Sequence, residues 1–177
     1  MLITDTEGII IYGLISAAFH EFGHLLCMSI FGYRTEVINF GFINADIVLS
    51  PFEEKKLCLI LLSGCFINFL IAIVFGIMFM VYNLEIFKII LWQNIGLGVF
   101  NLLPISNLDG GQIFYMFLKR IFSESLAYKV FNIVSIIFII PVLIAGFYVL
   151  MNSKYNFSLF LLSIYLISYI LFKEDIF

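Results

Sequence analysis

Ile9-Ile10-Ile11-Tyr12-Gly13-Leu14-Ile15-Ser16-Ala17-Ala18-Phe19-His20-Glu21-Phe22-Gly23-His24-Leu25-Leu26-Cys27-Met28-Ser29-Ile30-Phe31 is an apolar run broken at one place, by His20, Glu21 and His24. At 1.5 Å per residue such a run makes a helix of about 35 Å, enough to cross a hydrocarbon core of about 30 Å. Both histidines of the chain lie in it, four residues apart. On a helix these positions are about 40° apart around the axis, so both imidazoles can reach one metal ion, and Glu21 follows about 60° beyond His24. The carboxylate is then placed to address a water on that ion. Two nitrogen ligands leave the ion short of a third protein ligand, which has to come from elsewhere in the chain.

The rest of the chain agrees with a bilayer setting. Of 177 residues, 63% are hydrophobic and 12% charged, with a mean hydropathy of +1.15, well outside the range of an ordinary soluble domain. Apolar runs bounded by charged breaks give five expected spans: Ile9 to Phe31, Leu57 to Tyr82, Ile86 to Leu103, Val130 to Leu150 and Phe157 to Phe172. Polar groups at membrane depth face protein or a wet cavity. The first and third spans carry such groups and are therefore expected to face each other, with the second completing a three-helix core. The start of the chain has no basic region ahead of a short apolar segment, so no cleaved signal peptide is expected.

The few charges set orientation and exclude some functions. Arg34, Lys55, Lys56, Lys119, Arg120, Lys129 and Lys173 fall on one side of the expected spans, and Lys88 and Lys154 on the other. The positive-inside rule makes the richer side cytoplasmic, with the N-terminus outside and the C-terminus inside. His24 and His20 precede Gly32 by 8 and 12 residues, which sets them roughly 12 to 18 Å below the cytoplasmic helix end. A net charge of -3 without a basic patch points away from nucleic acid. Cys27, Cys58 and Cys65 are odd in number and lie in apolar segments, so no disulfide framework is implied. Cys27, near His24, is read as core packing.

Between the first two spans, Thr35 to Leu49 is rich in β-branched and aromatic residues with Gly and Asn breaks. It reads as a short interfacial β-hairpin, whose edge either packs on the bundle or pairs with an extended peptide. Gln112 to Phe122 reads as an amphipathic connector helix, and Ser123-Glu124-Ser125 as the start of the next.

After the third span comes Asn101-Leu102-Leu103-Pro104-Ile105-Ser106-Asn107-Leu108-Asp109-Gly110-Gly111. Pro104 ends or kinks a helix, and Gly110-Gly111 permit a tight turn just after Asp109. A carboxylate presented at a broken helix end, with apolar sequence on both sides, is costly unless partnered. A divalent cation is the partner this sequence offers, and two His with one Asp leave an open coordination position on zinc.

H-E-x-x-H in one transmembrane helix and N-L-L-P-I-x-x-L-D-G-G two helices later resemble the site-2 protease family, the intramembrane zinc metalloproteases of regulated intramembrane proteolysis, and look like its sporulation-factor-processing branch. The resemblance covers about residues 9 to 111. It implies one Zn2+ bound by His20, His24 and Asp109, with Glu21 as the catalytic base. It also makes Ser63-Gly64-Cys65-Phe66-Ile67-Asn68 the counterpart of a small-Gly-Pro-x-x-Asn segment, with Cys65 where the family carries Pro. Ser106-Asn107 departs likewise from a proline-rich stretch. Asn68 and Asn101 become candidate substrate-binding residues, although for Asn101 a packing hydrogen bond is an equal alternative; Gln93 and Asn94 read as interhelical ties. No PDZ-sized insertion and no C-terminal CBS domain are expected.

The expected protein is thus an all-α multi-pass membrane protein of about five transmembrane helices, with a three-helix catalytic core and a short interfacial β-hairpin. Residues 1–177 form one integral membrane peptidase domain, core about 9–111 and accessory helices about 128–172. Its expected substrate is a single-span membrane protein such as an anti-sigma or pro-sigma factor, with a membrane regulatory partner, in a bacterial cell membrane. The rival class is non-hydrolytic: a pseudoprotease that binds transmembrane segments, or a metal transporter. The intact Glu21 disfavours the first, and the convergence of polar residues on one site disfavours the second.

Overall fold

In a computed structural model, residues 3–32, 51–152 and 164–167 are described. In order along the described residues lie α1 Ile3–Ile30, α2 Pro51–Tyr82, α3 Glu85–Asn101, α4 Asp109–Ile121 and α5 Glu124–Asn152. Among the described residues there is no strand. The hairpin expected over Thr35 to Leu49 lies outside the described residues, as does the fifth span but for the helical 164–167.

Among the described residues, three helices are long and apolar enough to cross a membrane: Ile10–Ile30, Glu54–Tyr82 and Glu124–Tyr148. The third expected span, α3, has 17 residues, about 25 Å of helix. Each long helix runs past its apolar run into polar sequence. Thus α2 begins at Pro51, where the missing N-H is no loss in a first turn, and α5 begins at Glu124. Apolar side chains such as Leu14, Ile73, Val81 and Ile144 point outward, as hydrocarbon contact requires.

The chain divides into two compact units, Met1–Leu102 and Leu103–Phe177. In the first, α1, α2 and α3 pack against one another, the expected three-helix core. Ser16, buried on α1, accepts a 2.9 Å hydrogen bond from Asn94 Nδ2 on α3. This is the facing of first and third spans that their polar residues foretold. α1 stops at Gly32, whose φ of +73° and N-H bond to Ser29 O close the last turn.

In the second unit α4 packs on α5 around Leu118, Ala127 and Phe131. The tight turn expected after Asp109 lies before it instead. Asn107 takes the left-handed conformation, φ +79°, which Asn tolerates better than most residues, and Asp109, Gly110 and Gly111 already belong to α4. The glycine is needed for close approach: a Cβ on Gly111 would overlap the Ile105 carbonyl. Ser135 on α5 holds this turn, accepting from Ser106 N at 3.2 Å and donating to Pro104 O at 3.3 Å.

Candidate metal site

The site in the first unit begins with two glycines. A Cβ on Gly23 of α1 would lie 2.8 Å from Ser63 O and 3.1 Å from Gly64 Cα on α2. The backbones therefore approach as small residues allow in membrane bundles. Ser63 Oγ reinforces the contact, its single O-H shared between Gly23 O at 2.9 Å and Ile60 O at 2.6 Å. One step further, a Cβ on Gly64 would lie 2.6 Å from His24 Nε2 and 2.8 Å from His20 Cε1. The space a side chain would take on α2 is filled by the two imidazoles of α1.

Both histidines are buried, His20 5% and His24 9% exposed. Their rings meet edge to face, 87° between planes and 4.8 Å between centroids. The two Nε2 atoms are 3.2 Å apart. A tetrahedral ion holding both at about 2.1 Å would set them about 3.4 Å apart, so the observed separation fits shared coordination. His24 Nδ1 is 2.8 Å from Ile60 O. A carbonyl can only accept, so Nδ1 carries the proton and Nε2 keeps its lone pair, the tautomer and orientation usual for a metal ligand. On the other ring, Asn68 Nδ2 is 3.1 Å from His20 Nδ1.

Glu21 sits on the exposed side of α1, and one of its oxygens, with a nitrogen of each histidine, forms a group whose members lie within 4.8 Å of one another. Two imidazole nitrogens suit zinc among the common divalent ions, and the Glu21 carboxylate stands beside them. A carboxylate within so apolar a helix is tolerable only where it meets water or a cation.

The structure thus brings His20, Glu21, His24 and Asn68 together. Asn68, expected to meet substrate, is 0% exposed and turned to His20. Asn101 lies in the last residue of α3, where its Nδ2 donates to Leu97 O at 3.1 Å in its own helix. Asp109 belongs to the second unit, where it opens α4. Two neighbours of the histidines had no role in the sequence reading. The Ile60 carbonyl carries no sequence signal at all. Cys65, 2% exposed, has its sulfur within 4.8 Å of a His20 nitrogen; its position next to Gly64 was the available clue.

Residues 83–145 match the model of peptidase family M50. This is the site-2 protease family. The M50 match takes in α3, the turn after it, all of α4 and much of α5, and so includes Asn101, Asp109, Gly110 and Gly111. The H-E-x-x-H segment of α1 lies outside it, so the motif and the M50 match are separate indications that point the same way. No curated protein matches the chain.

Proposed function

We propose that this protein is an intramembrane zinc metalloprotease of the site-2 type, hydrolysing a peptide bond within or near a transmembrane segment of a membrane-bound substrate. The observation that carries the reading is the pair of buried Nε2 atoms 3.2 Å apart, with the Glu21 carboxylate beside them. The M50 match over 83–145 supports it from the other end of the chain.

His20, His24 and Asp109 would hold one zinc ion, which when bound would supply Lewis-acid chemistry and make a water acidic near neutral pH. Glu21 would be the general base of the hydrolysis, its carboxylate holding the proton given up by the attacking water and returning it to the leaving amine. Burial of the imidazoles and the Ile60 contact keep His24 oriented throughout. Asn101, at the end of α3, is the polar group we set against the substrate backbone. The substrate must be unwound locally, since its carbonyls are otherwise bonded within their own helix. A single-span anti-sigma or pro-sigma factor in a bacterial membrane is the substrate class we propose, approached from the cytoplasmic side.

Metal analysis of purified full-length protein tests the ligand set. One zinc per chain, lost in His24→Ala and Asp109→Ala, is the expected result; full zinc content in either variant contradicts it.

A further inference from the structure

The histidine pair is one link in a longer chain of contacts that starts and ends on α2. Asn68 Nδ2 meets His20 Nδ1 at 3.1 Å, His20 Nε2 meets His24 Nε2 at 3.2 Å, and His24 Nδ1 meets Ile60 O at 2.8 Å. One proton placement makes all three contacts hydrogen bonds. Ile60 O accepts, so His24 donates from Nδ1 and accepts at Nε2. His20 must then donate from Nε2, and its Nδ1 accepts from the Asn68 amide N-H.

Coordination by both imidazoles needs a different arrangement. His20 Nε2 must offer a lone pair, so its proton has to sit on Nδ1, where an Asn68 N-H would meet it donor to donor. Turning the side-chain amide of Asn68 by about 180° exchanges Nδ2 for Oδ1, an acceptor. Oδ1 is buried with no hydrogen-bond partner among the described residues, and the residue is 0% exposed. One end of the amide lacks a partner in either orientation, so the His20 tautomer decides between them.

We infer that Asn68 is a positioning residue with two settings, which follow the tautomer of His20 and so couple the orientation of a buried amide to metal binding. The inference rests on the zinc reading above. In the metal-binding setting Asn68 Oδ1 accepts from His20 Nδ1-H, and His20 Nε2 faces the ion. The proton given up at Nε2 is matched by one taken at Nδ1, so His20 stays neutral and releases no net proton. In this role Asn68 does not touch substrate.

Zinc affinity separates this from simple packing. Full-length protein in detergent is titrated with Zn2+ against a chromogenic chelator, comparing wild type with Asn68→Asp and Asn68→Leu. Asp keeps an acceptor for His20 Nδ1-H and should bind zinc at least as tightly as wild type. Leu fills similar space without an acceptor, and should lose about 10- to 100-fold in affinity. Equal losses in both variants, or no loss in Leu, overturn the inference while leaving the zinc site standing. A wild type that binds no zinc overturns both. Should the variants fail to fold, nitrogen NMR of labelled histidine in wild type decides: Nδ1-H on His20 with zinc bound supports two settings, and Nε2-H contradicts them.

Discussion

Gly64 stands under the His24 ring at a distance that leaves no room for a methyl group: a Cβ there would lie 2.6 Å from His24 Nε2. A single hydrogen on α2 therefore sets where the imidazoles of α1 can sit. Its φ is not positive, so the glycine is required for space and not for backbone conformation. Gly64→Ala should raise helix propensity by up to about 1 kcal/mol in isolation. It should nevertheless cost at least about tenfold in zinc affinity, as displaced ligands do, measured by chelator competition. Unchanged affinity would mean that the two helices can separate without cost.

The tie between Ser16 and Asn94 bridges α1 and α3 in the same unit. Interhelical hydrogen bonds in membranes contribute about 0.6 kcal/mol on average and up to about 1.7. A double-mutant cycle of Ser16→Ala and Asn94→Leu, read by denaturation in detergent, should give a coupling in that range. A coupling indistinguishable from zero would show the bond to be incidental.

Ser135 bears on the second unit. Its hydroxyl satisfies the buried Ser106 N-H and reaches Pro104 O, within the turn that leads to Asp109. Ser135→Ala should leave that N-H without its partner and cost about 1–3 kcal/mol. Thermal unfolding measures the cost, and a stability equal to wild type would count against the clamp.

If Glu21 and the ion act on an extended peptide, the substrate must unwind before it is cut. Placing Gly or Pro near the scissile bond lowers that cost, by about 1 kcal/mol for Gly and about 3 for Pro in a helix interior. Cleavage of a co-expressed single-span substrate should rise accordingly, quantified by immunoblot of the two fragments. A series in which no helix-breaking change ever helped would contradict unwinding as a barrier.

Much of the fold was legible because its signals are local. The run around His20 to His24 is long and apolar enough to dictate a membrane helix, and its polar residues told which other helix it should face. What the sequence hid is of three kinds. The Ile60 carbonyl that orients His24 is a backbone group, and any residue at position 60 would supply one. The role of Gly111 was misread because Gly-Gly after Asp suggests a turn, whereas here Asn107 makes the turn and Gly111 lets α4 approach Ile105. Asn68 was visible as a polar residue in an apolar span, but only its distance to His20 says which neighbour it serves.

Hydrolysis at the proposed metal site turns on Glu21 as its base. The direct measurement is cleavage of a co-expressed single-span substrate by wild type and by Glu21→Gln, with the zinc content of both proteins determined alongside. Glu21→Gln should keep its zinc and lose cleavage by about 10²- to 10⁴-fold. Cleavage at the wild-type rate by zinc-loaded Glu21→Gln would contradict the assignment.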